Sequence, residues 1–66
     1  MAVQSLDQVL TGLRSHLTND LALGPVCTRV MLRTGVNIRT PRPEQVRDAA
    51  LVAKVVATLG DMGYAL

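Results

Sequence analysis

The chain has 66 residues, with one cysteine, one tyrosine, no tryptophan and no phenylalanine, and its formal net charge is +2. So short a chain makes a single domain, 1–66, close to the lower size limit for independent folding, and its core has to be aliphatic. One cysteine excludes an internal disulfide, and the lone His16 has no Cys, His or carboxylate partner at ligand spacing, so no metal site and no cofactor is expected.

The opening residues Met1 to Val9 lack the basic start and apolar centre of a secretory signal, and the longest apolar stretch falls far short of the roughly 20 residues that span a bilayer. The expected setting is cytoplasmic, without a membrane, which is compatible with a free thiol. The positive charge sits mid-chain. Residues 1–28 hold Arg14 against Asp7 and Asp20, and residues 48–66 hold Lys54 against Asp48 and Asp61. Residues 29–47 hold Arg29, Arg33, Arg39, Arg42 and Arg47 against Glu44 alone. Arginine suits planar pairing with phosphate or carboxylate better than lysine does.

In chain order, Ser5-Leu6-Asp7-Gln8 has the form of a capping box, in which the Ser5 hydroxyl accepts from the Gln8 N–H and the Gln8 side chain accepts from the Ser5 N–H. It predicts a first helix over 5–18, with Leu6, Val9, Leu10, Leu13 and Leu17 on one apolar stripe. Thr18-Asn19-Asp20 supplies polar turn formers that end it. Leu21 to Leu23 reads as a turn of helix or as a packed loop, and the sequence does not choose between them.

Pro25 and Gly35 frame a second helix over 25–34, because proline at the first position forfeits no hydrogen bond and a left-handed glycine closes a helix. Val26, Cys27, Val30 and Met31 form its apolar stripe, with Leu32 off it. Arg29 and Arg33 are four apart and so neighbours on one face. Val36 to Thr40 alternates apolar and polar, as in a short extended segment with Val36 and Ile38 inward and Asn37 and Arg39 outward. Pro41 and Pro43 each hold the preceding residue out of the helical region. A third helix is expected over 43–60, or as far as Gly63 if Asp61 and Met62 add a turn. The fold class is therefore all-α, a small bundle of three helices, or of four if the link at Leu21 is counted.

Within the third helix, nine of the eleven residues from Ala49 to Leu59 are apolar. A helix apolar nearly all round has to be covered by other elements or by a second copy. Val46, Ala49, Ala50, Ala53 and Ala57 make a small-residue face, and Val52, Val55, Val56 and Leu59 a bulkier one. Two solutions follow: a homodimer through Val52, Val55, Val56 and Leu59, consistent with the two-fold symmetry common in small oligomers, or cover from helix 1 and the Val36–Ile38 segment of the same chain.

Residues suited to catalysis are sparse. His16 reads as a solvent-facing helix residue. Cys27 reads as a buried small hydrophobe, with the helix start and Arg29 as the features that would otherwise activate it. The glycines form no phosphate loop, and paired carboxylates and triads are absent, so an enzyme is not expected.

The stretch Arg47 to Gly60, RDAALVAKVVATLG, with Met62-Gly63-Tyr64 behind it, resembles the closing helix of small helix-turn-helix or winged-helix modules in phage and plasmid replication and regulatory proteins. The resemblance implies a DNA-binding helical fold and is confined to the end of the chain. It carries over no binding residue, since only Arg47 and Lys54 are basic there and no wing follows. Two functions emerge. The first is a nucleic-acid-binding accessory or regulatory protein, acting as a dimer through Arg29, Arg33, Arg39, Arg42 and Arg47, with Thr28, Asn37 and Thr40 adding neutral hydrogen bonds. The second is a protein-interaction module, a small adaptor or inhibitor of the kind phages encode, using the apolar surface of helix 3 without nucleic acid.

Overall fold

The computed structural model describes residues 5–66, apart from the side chain of Asp20. Met1 to Gln4, where the signal reading began, lie outside the described residues. Three α-helices follow in order, α1 (Leu6–Ser15), α2 (Leu23–Thr34) and α3 (Ala49–Asp61), with a 3₁₀ turn at Asp20–Ala22, and no strand occurs among the described residues.

The capping box forms as its residue types dictate. Gln8 N donates to Ser5 Oγ at 3.3 Å, and Ser5 N donates to Gln8 Oε1 at 3.1 Å. The helix stops at Ser15, three residues earlier than its apolar stripe suggests, because its last turn tightens: His16 N donates to Leu13 O and Leu17 N to Arg14 O. Asn19 Oδ1 then accepts from Ala22 N at 3.1 Å and starts the 3₁₀ turn. Leu21 to Leu23 is thus a turn of helix that runs into α2.

For that reason α2 begins at Leu23, and Pro25 occupies its third position rather than its first. None of the first few N–H groups of a helix has an intrahelical partner, so proline is tolerated anywhere in the first turn and marks the latest start of a helix. The other end matches the sequence reading. Gly35 closes α2 in the left-handed region at φ 77°, its N–H donating to Met31 O at 2.8 Å.

The largest departure is the start of α3. Residues 43–47 form turns, with Arg42 N donating to Gln45 Oε1 and Gln45 N to Arg42 O, and the helix begins only at Ala49. Val46 O accepts from Leu6 N at 2.9 Å, which gives α1's first N–H a partner and takes that carbonyl away from a helical ladder. Asp48 supplies the cap, its Oδ1 accepting from Leu51 N at 3.2 Å. Asp48→Ala removes this acceptor and is expected to cost about 1 kcal/mol, lowering the thermal midpoint by roughly 4–8 °C by circular dichroism. At the far end Tyr64 N donates to Leu59 O and Gly63 N to Gly60 O, around Gly63 at φ 95°. These two bonds close α3 at the later of its two candidate glycines.

The core is one cluster. Leu6, Val9 and Leu13 of α1 and Leu23, Val26, Cys27 and Val30 of α2 meet Val52, Val55 and Leu59 of α3, with Val36 and Ile38 of the α2–α3 connection fully buried among them. Asn37 and Arg39 are exposed, so the in-and-out alternation of this segment is as expected, although it turns at Ile38 and Arg39 instead of extending. The chain returns after α3 to pack Leu66 on α1, where a Cβ at Gly12 would meet Leu66 Cδ2 at 3.3 Å.

The assignment of Val52, Val55, Val56 and Leu59 to a contact between two chains is corrected by this packing. Val52, Val55 and Leu59 are 3%, 0% and 0% exposed, and Val56 is half-buried against the same core. Helices α1 and α2 both pack on α3, so its bulky face is the inner face of the monomer. What remains outside is Ala49, Ala50, Ala53, Lys54, Ala57, Gly60 and Asp61.

Candidate nucleic-acid interface

All five arginines of the central block are exposed, but the fold divides them. Arg39 lies against the flank of α2 formed by Gly24, Cys27, Thr28 and Met31, where with Asn37 it lines a hollow of about 200 Å³. Arg29 and Arg33 line a different groove, beside Asp61 and Met62 at the end of α3. At about 100° per residue, Arg29 lies roughly 200° around α2 from Cys27, which puts the two groups on opposite sides of one helix. The five side chains are therefore not one stripe.

Arg14 of α1, like Arg39, brings positive charge to the Cys27 thiol. The connection meets α1 at the helix start, where Val46 O accepts from Leu6 N at 2.9 Å. Arg42 and Arg47 lie on this connection, with Asn37 Oδ1 turning the backbone by accepting from Arg39 N at 3.1 Å and Gln45 Oε1 accepting from Arg42 N.

Electrostatically the two groups differ as well. Arg33 Nη1 lies 3.9 Å from Asp61 Oδ2, and this is the ion pair found among the described residues. Arg14, Arg39, Arg42 and Arg47 have no carboxylate partner there. The neutral groups expected to help are partly engaged: Thr28 Oγ1 donates to Gly24 O, and Asn37 Oδ1 serves the turn, while Thr40 is exposed.

Cys27 is 6% exposed on the inner side of α2. Burial pushes its thiol pKa above the ordinary value, and Arg39, Arg14 and a hydrogen bond from Arg39 offset this only in part. The electropositive neighbours are thus Arg39 and Arg14, not Arg29, and the thiol is held protonated at neutral pH. Its alkylation by iodoacetamide at pH 7.5 is expected to be much slower in the folded protein than in urea; equal rates would show an open, ionised thiol. His16 is exposed at the end of α1. The described residues contain no cluster of three or more His, Cys, Asp or Glu that could hold a metal, and no helix among them is long and apolar enough to cross a membrane.

The fold defines the class as a small all-α bundle with an arginine-bearing connection between its second and third helices. Beyond that class, the chain matches no protein-family model, no curated protein and no solved structure.

Proposed function

We propose that this protein is a nucleic-acid-binding accessory or regulatory protein, not an enzyme, and that Arg39, Arg42 and Arg47 of the connection, together with Arg14 of α1, contact the phosphate backbone. The observation that carries this reading is four exposed arginines, three on one connection and one on α1, without a carboxylate partner among the described residues. Guanidiniums so placed are available to phosphate oxygens, and each contact releases counterions. Duplex is favoured over single strands, because Tyr64, the one aromatic residue, is half-buried against the core and offers no stacking platform.

The reading does not rest on a dimer, since one chain closes its own core. Arg29 and Arg33 line a separate groove, where Asp61 offsets one of their two charges. Fluorescence anisotropy of a labelled duplex over a salt series tests the proposal. Binding at low salt that falls steeply as salt rises is expected, and no binding of duplex or single strand at low salt would overturn it.

A further inference from the structure

The flank of α2 away from that site carries Arg29, Leu32 and Arg33, which meet Asp61 and Met62 of the α3 end in an open groove of about 520 Å³. Leu32 is 81% exposed. A lone exposed leucine on a flat surface is ordinary. This one lines a groove between two helices, with the half-buried Met62 on the opposite side and Arg29 one helical turn before it. Asp61 accompanies Arg33 at 3.9 Å, with both side chains largely in solvent, whereas Arg29 has no carboxylate partner among the described residues. The groove thus combines an exposed aliphatic side chain with one uncompensated guanidinium.

Charge and apolar contact together decide between occupants. A phosphate backbone makes no use of Leu32 and Met62. A second copy would set two arginines and one aspartate against the same set, leaving like charge in excess across the contact. A protein segment with a carboxylate and an aliphatic residue satisfies both features at once. We infer that this groove docks a segment of a partner protein that places a carboxylate on Arg29 and, about one helical turn away, an aliphatic side chain on Leu32 and Met62. The inference is independent of nucleic-acid binding, which uses the other flank of α2.

The test selects a random peptide library, displayed on phage, against the immobilised full chain and against its Leu32→Ser and Arg29→Glu variants. Both positions are exposed, so the variants keep the fold, as matching circular dichroism melts will show. Enrichment of peptides pairing Asp or Glu with Leu, Ile, Val or Met at three- or four-residue spacing is the expected result. The synthetic peptide should bind about tenfold more weakly to each variant. No enrichment, enrichment without acidic residues, or equal binding to Leu32→Ser would overturn the assignment. Amide shifts at Arg29 and Leu32 on adding a DNA duplex would overturn it in favour of nucleic acid, while an unchanged duplex affinity in both variants keeps the two sites distinct.

Discussion

Leu59→Ala is expected to leave this protein largely unfolded or close to it at 37 °C. Leu59 is fully buried on the inner face of α3, the helix against which both α1 and α2 pack. Its loss removes the transfer free energy of the side chain and leaves a cavity, together about 2–5 kcal/mol. A chain of this length has only roughly 3–10 kcal/mol of stability in total, at about 0.05–0.15 kcal/mol per residue. The core is aliphatic apart from Cys27, and it holds no Phe or Trp. Urea unfolding followed by circular dichroism measures the loss. A change below about 1 kcal/mol would mean that the α3 face is not the centre of the core.

Removing Arg39, Arg42 and Arg47 together is expected to have the largest effect on binding. Each phosphate contact contributes about 0.9 to the slope of log affinity against log salt for duplex DNA, so the triple alanine variant should lose roughly 2 to 3 of that slope. Affinity at low salt should fall by two orders of magnitude or more, at about 1 kcal/mol or somewhat above for each charge-assisted contact. The fold should not change, because all three side chains are exposed. Arg29→Ala with Arg33→Ala serves as the contrast. That pair sits across α2 and should leave the slope unaltered. If the two variants lose slope equally, the arginines act as diffuse charge, without a defined site.

What local chemistry dictates was legible in the sequence. The Ser5–Gln8 box, the left-handed Gly35, the alternation of Val36, Asn37, Ile38 and Arg39, and Leu32 standing off the apolar stripe all depend on residues within a turn of one another. What failed depends on contacts between distant segments. The residues after Pro43 have helical composition, yet Val46 O is drawn to Leu6 N, a partner forty residues away that no local pattern announces. Pro25 fixed only the latest start of α2, because the 3₁₀ turn before it was invisible to a rule about first positions.

The candidate site was legible as a list and not as a geometry. Spacing showed Arg29 and Arg33 as neighbours, and charge counting grouped them with Arg39, Arg42 and Arg47. The fold separates them, setting Arg39 with Asn37 against one flank of α2 and Arg29 and Arg33 beside Asp61 and Met62. In the same way, the two faces of α3 were readable from its heptad-like spacing, but which face is covered depends on where α1 and α2 dock. They cover the Val and Leu face, and the alanine face is left outside.

Nucleic-acid binding is proposed for one flank of this bundle and not for its whole charged surface. Amide chemical shifts of the ¹⁵N-labelled protein, followed while a short DNA duplex is added at low salt, test it most directly. Saturable shifts are expected at Arg14, Arg39, Arg42 and Arg47 and their neighbours, with Arg29, Leu32 and Arg33 unmoved. Shifts confined to Arg29 and Arg33, or none anywhere, would contradict it.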